Sequence, residues 1–100
     1  MAKGYWIAHV DVQDAEQYRN YIEANAAPFK AFGARFLVRN GDCQCREGAV
    51  RERQVVLEFP TYQSAIDCYD SQEYQKARKL RNDAAWADLV IVEGYDHDQE

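Results

Sequence analysis

No apolar run in this sequence approaches the ~20 residues that a membrane-spanning helix requires. Glycine is scarce and scattered, 5 in 100 residues, so no glycine-rich loop is available to cradle a phosphate. With 2 prolines and no repeat or low-complexity stretch, the chain is neither collagenous nor disordered. Bases are in deficit: 12 Lys and Arg face 17 Asp and Glu, a net charge of −5, which repels phosphate backbones unless the bases gather in one patch. The densest patch, Lys76, Arg78, Lys79 and Arg81, reads as the solvated face of a helix. No aromatic-interleaved strand of the kind that stacks RNA bases accompanies it. Neither nucleic acid nor membrane is expected as a partner.

Cysteine is limited to Cys43, Cys45 and Cys68. The start, Met1-Ala-Lys-Gly-Tyr-Trp, has no apolar core or small-residue cleavage site of a secretory signal. An odd cysteine count without such a signal points to a reducing compartment, the cytoplasm. On an extended strand the Cα atoms of Cys43 and Cys45 would stand about 6.5–7 Å apart, at the limit for a disulfide. No second Cys or His pair completes a metal site at a fitting spacing, so neither metal nor other cofactor is expected.

What the chain does hold is 47% hydrophobic and 13% aromatic residues, enough for one α+β domain over residues 1–95, with an acidic tail, residues 96–100, expected to fray. The first strand reads Gly4 to Val12. Asp14 caps the helix that follows and Gln17 completes the capping box. Tyr18, Tyr21, Ile22, Phe29 and Phe32 form one helical stripe, interrupted by Pro28, where a kink is expected, and stopped by Gly33. A second strand, Ala34 to Arg39, leads to Asn40-Gly41, either a hairpin turn or, as preferred here, a bulge in a longer strand running to Glu47. Arg51 to Phe59 is the third strand. Thr61 caps a short helix, and Ser71 caps another reaching about Arg81, on which Tyr74, Ala77 and Arg81 share a face. Asp88 to Tyr95 is the last strand. The order βαββαβ is that of a ferredoxin-like fold, a four-stranded antiparallel sheet with its helices on one face.

Side chains alternate along strands, so each strand sorts into two sets. Trp6, Ala8, Val10 and Val12, with Phe36 and Val38, Val55, Leu57 and Phe59, and Val90 and Val92, are expected beneath the helices. The opposite face then carries Ile7, Leu37, Val56, Leu89 and Ile91 amid His9, Asp11, Arg35, Arg39, Glu58 and Glu93. Five large aliphatics amount to about 500 Å² of apolar area, on the order of 12 kcal/mol of gross burial if covered. The same face of a second copy is the most economical cover, giving a sheet-on-sheet homodimer. Asp11, Arg35, Arg39, Glu58 and Glu93 then read as an ion-pair network that fixes its register.

Gly4-Tyr-Trp-Ile-Ala-His-Val-Asp-Val, Arg35-Phe-Leu-Val-Arg, Val56-Leu-Glu-Phe-Pro, Ser71-Gln-Glu-Tyr-Gln and Asp88-Leu-Val-Ile-Val-Glu-Gly together resemble the domain-of-unknown-function family numbered 1330, in order and over nearly the whole chain. The sequence departs from that pattern at Ala34, Asn40 and Gln72, all in turns. The resemblance implies a dimeric α+β barrel, a superfamily that also holds cofactor-free monooxygenases, lactone isomerases and haem-degrading enzymes, in which ligands often sit between helices and sheet.

Here such a pocket would be lined by Trp6, Tyr18, Tyr21, Asn25, Phe36, Tyr74 and Arg78. An arginine, an amide and several phenols suit a small carbonyl or carboxylate compound, although aromatics at this spacing also serve as plain core. His9 is the one candidate general base, with Asp11 two residues on. No nucleophile–base pair emerges, and Cys68 reads as packing. Two readings follow: a non-catalytic dimer that binds a small metabolite or only stabilises an assembly, which is favoured, and a cofactor-independent monooxygenase- or isomerase-like enzyme acting on a small carbonyl-bearing or aromatic compound.

Overall fold

The computed structural model describes residues 2–96. Strand β1 (Gly4–Val12) leads into helix α1 (Ala15–Ala31), then β2 (Arg35–Arg39), β3 (Arg53–Phe59), α2 (Tyr62–Asp70), α3 (Gln72–Arg81) and β4 (Ala85–Glu93). The strands form one antiparallel sheet in the order β2-β3-β1-β4, the ferredoxin-like arrangement. The tail beyond Asp96 lies outside the described residues. Among those residues no helix is long and apolar enough to cross a membrane.

Local chemistry sets the helix ends. The Asp14 carboxylate accepts the Gln17 amide proton at 3.1 Å. The Gln17 side chain does not return to close the capping box; it donates instead to the Leu80 carbonyl at 3.2 Å, tying the start of α1 to α3. Helix α1 runs on through Pro28, and Gly33, with φ +74°, turns the chain toward β2. Thr61 and Ser64 form a reciprocal capping box at α2, and the Ser71 hydroxyl accepts the Tyr74 amide proton at α3.

The core lies between the sheet and the helices. Trp6 meets Phe29, Phe59, Tyr69 and Tyr74 at centroid separations of 4.9–5.8 Å, and its Nε1 donates to the Ala65 carbonyl at 2.9 Å. That one side chain joins β1 to all three helices.

Strand β4, and β2 beyond Leu37, turn their faces the opposite way from the alternation expected. In β2 the pairing slips between Phe36 and Val38, so Leu37 is an extra residue. Beyond this bulge Val38 pairs with outward Val56, while Arg39 pairs with Val55 on the helix side. Asn40, with φ +57°, ends the strand, and no strand continues to Glu47. Strand β4 begins at Ala85 rather than Asp88 and pairs Trp6 with Ile91 and Ile7 with Val90. Leu89 and Ile91 therefore pack on the core, and Trp86, Asp88, Val90 and Val92 point outward. Glu93 pairs with Gly4, in register with the helix-side set rather than the outer face.

Candidate functional site

Beneath α1, toward the end of the sheet where β1 and β2 finish and β3 and β4 begin, a cavity of about 40 Å³ is left between helix and sheet. Trp6, Tyr18, Tyr21, Asn25 and Phe36 are among the residues that line it. Arg78 is not. Its Nε donates to Gln75 at 2.9 Å, and it borders a separate polar cleft with Arg51, Asn82 and Trp86. Tyr74 stands behind the wall, its hydroxyl 2.8 Å from that of Tyr21.

The cationic part of the wall comes from residues the sequence reading did not place there. Arg81, on the Tyr74–Ala77 stripe of α3, sends Nη1 to the Tyr21 and Tyr74 hydroxyls at 3.2 and 3.3 Å. Arg53 shares its strand face with Val55, Leu57 and Phe59, a signal visible in the sequence, and its guanidinium lies 5.5 Å from the Tyr18 ring centre. Arg39 reaches the wall only because of the β2 bulge, and sits 4.3 Å above Phe36. No sequence signal marked that slip.

Desolvation pushes the phenols of Tyr18 and Tyr74 upward, and neighbouring Tyr21 adds to both. They stay protonated at neutral pH. Asn25, only 6% exposed, is the buried polar side chain on this wall, and the buried side-chain atom without a partner among the described residues is Arg53 Nε. Among the described residues the lining includes no His, Asp, Glu, Lys or Cys.

The outer face carries two charge clusters. In one, Glu58 meets Lys3 at 3.3 Å, Arg35 at 3.2 Å and the Tyr5 hydroxyl at 3.3 Å. Desolvation pushes the Glu58 carboxyl up, but Lys3, Arg35 and Tyr5 together hold it below its usual range. In the other, Asp11 accepts the Glu52 amide proton at 2.9 Å and pairs with Arg51 at 3.1 Å, and these contacts hold its carboxyl low as well. Arg51 also reaches Asp88 at 3.0 Å. Of the expected network, Asp11, Arg35 and Glu58 are present on this face. Arg39 lies on the cavity side, and Glu93 is in register with the helix side. Lys3, Arg51 and Asp88 take part instead.

His9 sits inside the second cluster. Its Nδ1 accepts the Arg51 amide proton at 2.7 Å, which leaves the proton of the neutral ring on Nε2, 3.5 Å from Asp88. Both ring nitrogens are occupied, so neither offers a free lone pair to a substrate. Among the described residues no three His, Cys, Asp or Glu side chains converge as a metal site would require.

Fold and site together define a ferredoxin-like α+β domain with a small interior cavity under its first helix. The chain belongs to the family described as Domain of unknown function (DUF1330), which matches residues 3–95. Comparison with curated proteins gives no match. Among solved structures, a protein of unknown function from Rhodopseudomonas palustris is similar with TM-score 0.74 and 15% identity, over 95% of this chain and 84% of that one. A dimeric ferredoxin-like protein of unknown function from Thermobifida fusca gives TM-score 0.61 and 14% identity, over 92% and 91% of the two chains. SnoaB, a cofactor-independent oxygenase from Streptomyces nogalater, gives TM-score 0.62 and 11% identity, over 100% of both. At these identities the likeness is one of fold.

Proposed function

We propose that the protein is a homodimer whose subunits each bind a small molecule in the cavity beneath α1. The observation that carries the binding reading is Arg53 Nε, a buried donor on the cavity wall with no acceptor among the described residues, beside the Asn25 amide on the same wall. Burying such a group unsatisfied costs about 1–3 kcal/mol, which a polar occupant would offset. The cavity of about 40 Å³ has room for roughly three waters or one small polar group. Binding is favoured over turnover because the wall offers phenols held in their protonated form and guanidinium groups, with no general base among them.

The homodimer rests on the face turned away from the helices. Ile7, Val38, Val90, Val92 and Trp86 are exposed there. A contiguous apolar surface of this kind marks an interaction site. Lys3, Arg35 and Arg51 balance Asp11, Glu58 and Asp88, so a second copy meets a face without net charge in these pairs. The dimeric protein from Thermobifida fusca, of the same fold, supports this assembly. Three free thiols suit a reducing compartment such as the cytoplasm.

A thermal-shift screen against a metabolite panel tests the binding reading, using wild type, Asn25→Leu and, outside the cavity, Arg78→Ala. At a hundredfold excess over Kd, one member should stabilise wild type and Arg78→Ala by about 2.7 kcal/mol and Asn25→Leu far less. A panel that leaves wild type unmoved, or an equal shift in Asn25→Leu, contradicts it.

A further inference from the structure

The hydrogen-bonding inventory of the cavity is unbalanced toward donors. Arg53 Nε is buried and has no acceptor. Tyr21 and Tyr74 carry two phenolic protons, of which only one lies between their oxygens; Arg81 donates to both oxygens, so the second proton has no acceptor among the described residues. The Asn25 amide adds two further donor protons and one acceptor oxygen.

Charge is unbalanced in the same direction. The chain holds 17 Asp and Glu, yet among the described residues none lines this cavity. Arg39, Arg53 and Arg81 each lie over an aromatic ring, Phe36, Tyr18 and Tyr21 respectively, and none pairs with a carboxylate among the described residues. In an acidic protein, arginines gathered without counter-charge beside a buried amide, one of them with an unpartnered Nε, make a site for an anion.

We propose that the ligand of this cavity is a small carboxylate-bearing compound, its carboxylate held by Arg53, Arg81, Asn25 and the Tyr21 hydroxyl; this rests on the binding reading above. A carboxylate is an acceptor-only, planar anion that matches the guanidinium fork. A cavity of about 40 Å³ limits what enters to the carboxylate and a few attached atoms. A neutral amide of the same shape brings donors of its own against a wall already rich in them, and no charge.

The test compares formate, acetate and propionate with formamide, acetamide and propionamide, titrated in chloride-free buffer into isotopically labelled full-length protein. Binding is followed by NMR through the Asn25 side-chain amide and the backbone amides of α1. The best carboxylate should bind wild type about tenfold or more tightly than its matched amide. Arg53→Gln, whose own spectrum reports its folding, should lose that preference while keeping weak amide binding. If Arg53→Gln fails to fold, the acid–amide comparison on wild type decides alone. Amides binding as well as their acids would overturn the carboxylate assignment and leave the binding reading standing. No perturbation by any of the six compounds would overturn both.

Discussion

Cys68 shows how a single side chain carries its surroundings into a measurable property. It is fully buried in α2, its Sγ 3.7 Å from the Pro28 carbonyl, and desolvation pushes its thiol up to about 12. In the unfolded chain a thiol ionises near pH ~8.5, so the folded state holds this proton more tightly. The stability Cys68 contributes is therefore complete below that pH and is lost as pH rises toward the folded value. Melting temperature should hold to about pH 8 and then fall, and Cys68→Ala should fall less between about pH 8.5 and 10, before unfolded tyrosines titrate. Identical alkaline profiles would contradict this. The cavity arginine also turns on a single residue. Arg81 lies close to two turns beyond Tyr74 and comes back to its side of α3, whereas Arg78 overshoots by about 40°. The stripe Tyr74, Ala77, Arg81 was legible in the sequence; choosing Arg78 looked one turn ahead when two were needed.

At the scale of elements, Gly4 sets how closely α2 approaches β1. A Cβ there would stand 2.6 Å from Tyr62 Cα and 2.7 Å from the Thr61 carbonyl oxygen, both backbone atoms that cannot swing aside. Gly4→Ala should destabilise by about 1–3 kcal/mol in urea unfolding, whereas Gly41→Ala, with nothing within 4 Å of its added Cβ, is the control. Equal stability of the two variants would contradict the close approach. The order and approximate extent of the elements could be read from caps and periodicity, because Asp14, Thr61, Ser71 and Gly33 act locally. The facing of β2 and β4 could not. A single extra residue at Leu37 reverses every later side chain in β2, and nothing in Arg35-Phe-Leu-Val-Arg announces it. In β4, Leu89, Val90, Ile91 and Val92 are all aliphatic, so alternation distinguishes no face. The available clue was Asp88, which shares its side with Val90 and Val92.

For the whole molecule, these reversals exchange the members of the outer face and leave its character intact. Trp86, Val90, Val92 and Val38 replace Leu89 and Ile91, and Arg51, Asp88 and Lys3 take the places foreseen for Arg39 and Glu93. A sheet layered with helices on one side only still presents an aliphatic and indole surface to water on the other. A homodimer closed through that surface buries it, and leaves the cavity beneath α1 of each subunit on the far side of the sheet from the partner. Sedimentation equilibrium at micromolar concentration is the most direct test. The homodimer predicts a single species of twice the 11.6 kDa chain mass, converted toward monomer by Val90→Lys on the outer face. A folded, monodisperse wild-type particle of 11.6 kDa would contradict it.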